Sequence, residues 1–258
     1  MAGRAPPLEV VNQQGQSAIV LLCEHAGRII PTELGTLGLS ESDRSSHIAW
    51  DIGARGLSLL LAERLDAVLA MQRYSRLVYD CNRDWGAPDE SPEKVDFTFI
   101  PGNRGLSEAE RRRRRNDIYA PFHDGVRRLI DERRQEGRPA VIVTIHSFTP
   151  VYEGRRRALD IGIVHDSDAR LADIMLAAES RPSGLDIRRN EPYGPDRGVT
   201  HTLKVQAVAL GLLNVMIEVR NELIADVDGQ AKFAEHLANW MAQSADQALS
   251  DTARAVST

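Results

Sequence analysis

Apolar residues in this chain fall into short continuous runs set between longer stretches of mixed periodicity. "AIVLLC" (18–23), "AVLAMQ" (67–72), "AVIVTIH" (140–146), "LDIGIVH" (159–165) and "NVMIEVRNEL" (214–223) do not alternate with polar residues, which is the pattern of strands covered on both faces. Helical spacing fills the gaps. Over 39–65 the apolar positions Ile48, Ile52, Leu59 and Leu60 mark one face, with Ser40 or Ser42 as the cap. Over 107–137 Ser107 and Glu110 form a capping box, Pro121 kinks or splits the segment and Gly137 closes it. Further helices are predicted over 167–180, 198–212 and 227–247, and 185–194 reads as a strand entering a turn. Residues 84–106, rich in Pro, Gly, Asp and Asn, form a long loop of the kind that carries function in compact domains. Strands alternating with helices predict an α/β fold, a three-layer α/β/α sandwich around a mostly parallel mixed sheet. The expected organisation is a single domain over 1–258, with 1–14 and 248–258 as loose tails.

Composition narrows this without redirecting it. The 258 residues suffice to bury a real core, and 42% hydrophobic with 27% charged residues is ordinary for a globular chain. The net charge of −5 argues against a polyanionic partner. "RRRRR" (111–115) lies on a helix with Glu108, Glu110 and Asp117 close by and no interleaved aromatics, so it reads as a solvated face. Neither nucleic acid nor membrane is expected as a partner, since no run approaches the roughly 20 apolar residues of a span. The N-terminus shows no apolar leader, and a cytoplasmic location is expected. Cys23 and Cys81 read as buried, reduced thiols.

Candidate chemistry lies where open α/β sheets place it, at the carboxyl ends of strands. Glu24 and His25 follow the first run. Arg76, Asn82 and Arg83 follow the second. His146 and Ser147 end the third, and Glu218, Arg220 and Asn221 end the last. Two strand-end histidines suggest zinc or another divalent metal, which favours imidazole and carboxylate ligands. Neighbours on a strand diverge, so Glu24 and His25 are not expected to chelate one ion together. His47 and Asp51, spaced i, i+4 on a predicted helix, share a face, and the third ligand stays open among Asp51, His47 and Glu24. A buried carboxylate at Glu218 needs a partner or a task, and general base is a fitting task. The arginines suit bidentate grip on a carboxylate. No G-x-S-x-G elbow, Walker loop or G-x-G-x-x-G is present.

Taken in order, "LLCEHAGRIIP", "HIAWDIGA", "SRLVYDCNR", "VTIHSFTP", "NEPYG" and "VMIEVRNEL" resemble the N-formylglutamate amidohydrolases, over about residues 18–245. That family is similar to the zinc carboxypeptidases in fold. The resemblance implies metal-assisted hydrolysis of an N-formyl or N-acyl amino acid, releasing formate from N-formylglutamate, a step of histidine degradation. It implies zinc at His25 and His146, Glu218 as general base, and Arg76, Asn82 and Arg83 on the substrate carboxylate. With Asp51 as the third ligand, Glu218 takes the proton of the attacking water. His47, His201, Arg220 and Asn221 are expected at the substrate. Two positions depart from the pattern. Arg28 stands where carboxypeptidases place the ligand glutamate, and "CEHA" replaces Pro-His-Ser-Gly. The alternatives are a deacylase or carboxypeptidase-like amidase on another small anionic substrate, or a non-catalytic metal-binding homologue. Oligomeric state is not readable.

Overall fold

The computed structural model describes residues 5–256. In chain order the strands are β1 (Leu8–Val11), β2 (Ile19–Cys23), β3 (Val68–Gln72), β4 (Lys94–Val95), β5 (Thr98–Phe99), β6 (Val141–Phe148), β7 (Val151–Tyr152), β8 (Arg155–Arg156), β9 (Ile161–Val164), β10 (Ile187–Arg189) and β11 (Asn214–Arg220). The helices are α1 (Glu41–Ser45), α2 (Ala54–Leu65), α3 (Glu108–Arg114), α4 (Ala120–Gln135), α5 (Arg170–Ala177), α6 (His201–Gln206) and α7 (Val227–Val256).

Seven strands form one sheet in the order β1-β3-β2-β6-β11-β9-β10. β3, β2, β6 and β11 run parallel, β9 and β10 run parallel to each other but antiparallel to β11, and β1 adds an antiparallel edge. The sheet is thus mixed and mostly parallel, as the apolar runs predict. Alternation along the strands divides the core in two. Leu21, Leu69, Val143, Ile145, Val215 and Ile217 pack under α2, α5 and α7 on one face. Val20, Leu22, Val68, Ala70 and Ile142 pack under α4, through Phe122, Val126 and Ile130, on the other.

Several expectations are corrected. Residues 8–11 are not part of a loose arm. Leu8 and Val10 pack on the second core cluster, and Glu9 pairs with Arg55 and Arg73. Residues 248–256 continue α7 rather than fraying, because Ala248 and Leu249 still pack on the first cluster. The 39–65 segment is not one helix. α1 ends at Ser46 and α2 begins only after Gly53, so His47 and Asp51 lie on the connecting turns and not on a shared helical face. Gly53 sets this break. Its φ is +81°, and an added Cβ would stand 2.1 Å from the Ile224 carbonyl oxygen. The 198–212 segment is helical only over α6 and a following 3₁₀ turn, and the helix over 107–135 passes through a π turn at Arg115–Tyr119. Its capping box at Ser107 is present. The arginine run is largely committed: Arg112 pairs with Glu108, Arg111 with Glu90, buried Arg114 bonds the Val78 and Gly102 carbonyls, and Arg115 lies over Trp85. Among the described residues no helix is long and apolar enough to cross a membrane. Both cysteines are free and buried.

Candidate metal centre

Three adjacent parallel strands carry the central residues. Val20 and Leu22 face the α4 side of the sheet, and the alternation carries Glu24, just past β2, to the same side. On β6, Ile142, Thr144 and His146 follow the same phase. On β11, Glu218 stands in register with His146. Glu24, His146 and Glu218 therefore form a polar row across the carboxyl ends of β2, β6 and β11, and all three are buried. The next strand makes room for them: Gly162 is paired with Glu218, and an added Cβ there would stand 1.8 Å from the Glu191 carbonyl oxygen. Asp51 comes to the row from the turn before Gly53. Its amide donates to the His25 carbonyl at 3.0 Å, which ties this turn to the end of β2.

The atoms that face one another are His25 Nδ1, His146 Nδ1 and Asp51 Oδ2. Asp51 Oδ2 lies 3.4 Å from His25 Nδ1 and 2.9 Å from His146 Nδ1, and it accepts the Ser147 amide at 3.2 Å. The two rings are edge to face, 4.9 Å between centroids. Each imidazole has a buried carboxylate at its far nitrogen. Asp80 Oδ1 is 2.7 Å from His25 Nε2, and Glu24 Oε2 is 3.1 Å from His146 Nε2. The first is a hydrogen bond. The second is out of line for one and is an ionic contact. Arg76 joins the two sides, donating to Asp51 Oδ1 at 3.3 Å and to Asp80 Oδ2 at 3.0 Å.

This donor set fits a divalent cation on three counts. Two imidazole nitrogens and a carboxylate are the ligands of catalytic zinc sites with an open position. Far nitrogens held by carboxylates are the usual second layer of such sites, fixing the tautomer. His25 Nδ1, although buried, has no hydrogen-bond partner among the described residues, and it points at Asp51. Charge agrees with this. Glu24, Asp51, Asp80 and Glu218 are all buried, and Arg76 alone among neighbouring arginines bonds two of them. The protein's own groups also balance one another's charge. Burial would lower the His146 imidazole, but Glu24 and Asp51 raise it well above its ordinary value. Burial would raise Asp51, Asp80 and Glu24, and the adjacent histidines hold all three carboxyls low instead, with Arg76 adding to the effect at Asp80. Glu218 goes the other way. Burial, with the Asp51 charge adding to it, pushes its carboxyl up to about 7.

The remaining sequence candidates sit around this centre in different states. Asn82 is spent on structure: its amide donates to the Val199 carbonyl at 2.5 Å and accepts the Thr202 amide at 3.0 Å. Arg83 pairs with Asp89 at 2.5 Å. Arg220 pairs with Asp160 at 2.9 Å and bonds the carbonyls of Ala158 and Leu159. Asn221 is buried in the 3₁₀ turn after β11. His47 is half-buried, its Nε2 3.8 Å from Asp96. His201 is buried with both nitrogens taken, Nδ1 by Asp84 at 2.5 Å and Nε2 by the Tyr119 hydroxyl at 2.7 Å. His123 bonds the Cys81 carbonyl and Gln206. One contributor escapes a reading of strand ends. Asp80 lies in "YDCNR", four residues after Arg76, and its i, i+4 link to Arg76 was the one available signal. Glu24 was visible as a strand-end acid, but its partner His146 is on another strand.

Comparison with known proteins places the chain. The sequence profile of the N-formylglutamate amidohydrolases matches residues 17–225. A gene product of Agrobacterium tumefaciens of known crystal structure is 51% identical, covering 94% of this chain and 96% of its own, with a TM-score of 0.92. An N-formylglutamate amidohydrolase from Ralstonia eutropha is 18% identical, covering 96% of this chain and 100% of its own, with a TM-score of 0.66, and so shares the fold. No protein of curated function matches the chain.

Proposed function

Since the chain belongs to the N-formylglutamate amidohydrolase family, we propose that it is a metal-assisted hydrolase of N-formyl or N-acyl amino acids, N-formylglutamate being the model substrate. The observation that carries the metal part is the convergence of His25 Nδ1, His146 Nδ1 and Asp51 Oδ2, with Asp80 and Glu24 behind the two imidazoles. A divalent ion bound there supplies Lewis-acid polarisation of the amide carbonyl and a lowered pKa for water.

The protein's own groups do the rest. Asp80 and Glu24 keep the two rings oriented with Nδ1 towards Asp51, and Arg76 fixes Asp51 and Asp80 against each other. Glu218, in register with His146 and with Oε2 free of any hydrogen bond among the described residues, accepts the proton of the attacking water. It then returns that proton to the departing amide nitrogen, so that formate and a free amine leave. A carboxyl pushed up to about 7 suits both halves of this cycle near neutral pH. Burial of the row limits water around these charges and strengthens their interactions.

The test is formate release from a panel of N-formyl and N-acyl amino acids, with and without chelator. Chelator-sensitive turnover of N-formylglutamate or a near analogue is expected. Stoichiometric metal without hydrolysis of any member would mean that the fold binds the ion and does not use it for this chemistry.

A further inference from the structure

An anionic substrate needs a cation whose charge is not already spent on a carboxylate, and Arg76, Arg83 and Arg220 are each paired with one. Arg76 is shared between Asp51 and Asp80, Arg83 is held by Asp89, and Arg220 by Asp160. Arg157 differs. It makes no ion pair among the described residues. Its guanidinium carbon lies 4.6 Å from the ring centroids of both Tyr152 and Tyr193 and 6.0 Å from that of Phe148. Nη1 donates to the Tyr193 hydroxyl at 2.8 Å and to the Thr149 carbonyl at 3.4 Å, while Nε and Nη2 have no partner among the described residues.

Its place in the fold is set by the strand that carries His146. β6 ends at Phe148, the β7–β8 hairpin leaves directly from it, and the Arg157 amide donates to the Pro150 carbonyl at 2.8 Å. Tyr193, its other support, packs with Val164, Val199, Leu203 and Met216, and Met216 is two residues before Glu218 on the same face of β11. Arg157 thus spans from the His146 strand end to the Glu218 side of the centre. Its charge is felt at His47, which burial first and then Arg76 and Arg157 lower against the pull of Asp96 and Asp51. Flanking rings stabilise a planar guanidinium and restrict its rotamers, so a fork held this way loses little freedom on binding. Two unspent donor nitrogens on such a fork match the two oxygens of a carboxylate.

We propose that Arg157, clamped between Tyr152 and Tyr193, is the residue that receives a carboxylate of the amino-acid substrate and so sets its specificity. This rests on the amidohydrolase reading, and the experiment separates the two. Metal-loaded wild type and Arg157→Met are assayed on N-formylglutamate, on N-formylglutamine and on the α-amide of N-formylglutamate. Binding of free glutamate to both proteins is measured by calorimetry. Arg157→Met is expected to raise KM for N-formylglutamate roughly ten- to hundredfold with kcat near wild type, since the contact is equally present in ground and transition states. One of the two mono-amides, the one lacking the bound carboxylate, should be handled alike by both proteins. Arg157→Lys, keeping charge without the fork, should fall between, and metal content and melting temperature should not move. Equal loss on all three substrates, or no change in KM, overturns the assignment. If wild type cleaves none of them yet binds glutamate in an Arg157-dependent way, the hydrolase reading fails and the carboxylate site stands. If wild type binds no glutamate, the carboxylate site fails.

Discussion

Replacing Glu218 with glutamine removes one ionisable group from the row and leaves its shape. In the metal-free protein the consequence is a pH-dependent gain in stability. The Glu218 carboxyl has an ordinary value of 4.5 and is pushed up to about 7 in the fold by burial. The folded chain therefore binds more protons at this position than the unfolded chain between those two values. Stability from this group is fully present below about 4.5, falls as pH rises, and is lost once pH passes about 7. At about 1.4 kcal/mol per pH unit, the ionised carboxylate costs the fold about 3 kcal/mol at pH ~8 and about 1 kcal/mol at pH ~5.5. Glu218→Gln carries no such cost. Urea unfolding of both proteins in excess chelator should show the variant more stable at both values, with the difference growing by about 2 kcal/mol from pH ~5.5 to pH ~8. A difference that is flat with pH, or that shrinks as pH rises, would refute the view that Glu218 is a desolvated carboxyl poised to exchange a proton. The same variant should retain metal and lose turnover by roughly 10²–10⁴-fold.

Asp80→Asn weakens the support of His25 Nε2 and one of the two anchors of Arg76, so metal affinity in a competition titration should fall by roughly 10–100-fold while the fold persists. An unchanged affinity would remove Asp80 from the account. Gly53→Ala forces a Cβ to 2.1 Å from the Ile224 carbonyl oxygen at a φ of +81°, and should cost about 1–3 kcal/mol in denaturant unfolding. Because Asp51 is two residues away, metal binding in that variant should weaken as well.

Much of the fold is legible along the chain because its central strands are buried on both faces. β2, β3, β6 and β11 show as unbroken apolar runs, and the residues after or near their ends mark the centre. The edge is less legible. Leu8–Val11 is a strand of only four residues directly after a proline pair, and its place beside β3 rests on pairing with Leu69–Gln72 and on Glu9 meeting Arg55 and Arg73, all far away in sequence. Apolar spacing over 39–65 misleads for a different reason. Ile48 and Ile52 satisfy helical periodicity, but Gly53 in a left-handed conformation starts the helix afresh, and Asp51 reaches the site from a turn. Asp51 and the histidines could still be named, since ligand chemistry restricts the choice of residue types. Which arginine remains free could not, because pairing with Asp80, Asp89 or Asp160 is decided by tertiary packing.

The proposed chemistry requires His25, Asp51 and His146 together to hold one metal ion on which hydrolysis depends. Metal stoichiometry of purified His146→Ala against wild type, by equilibrium dialysis with zinc, tests it most directly. One ion per chain is expected in wild type and its loss in the variant, with formate release lost alongside. A variant that keeps the ion at wild-type affinity and still hydrolyses substrate would contradict it.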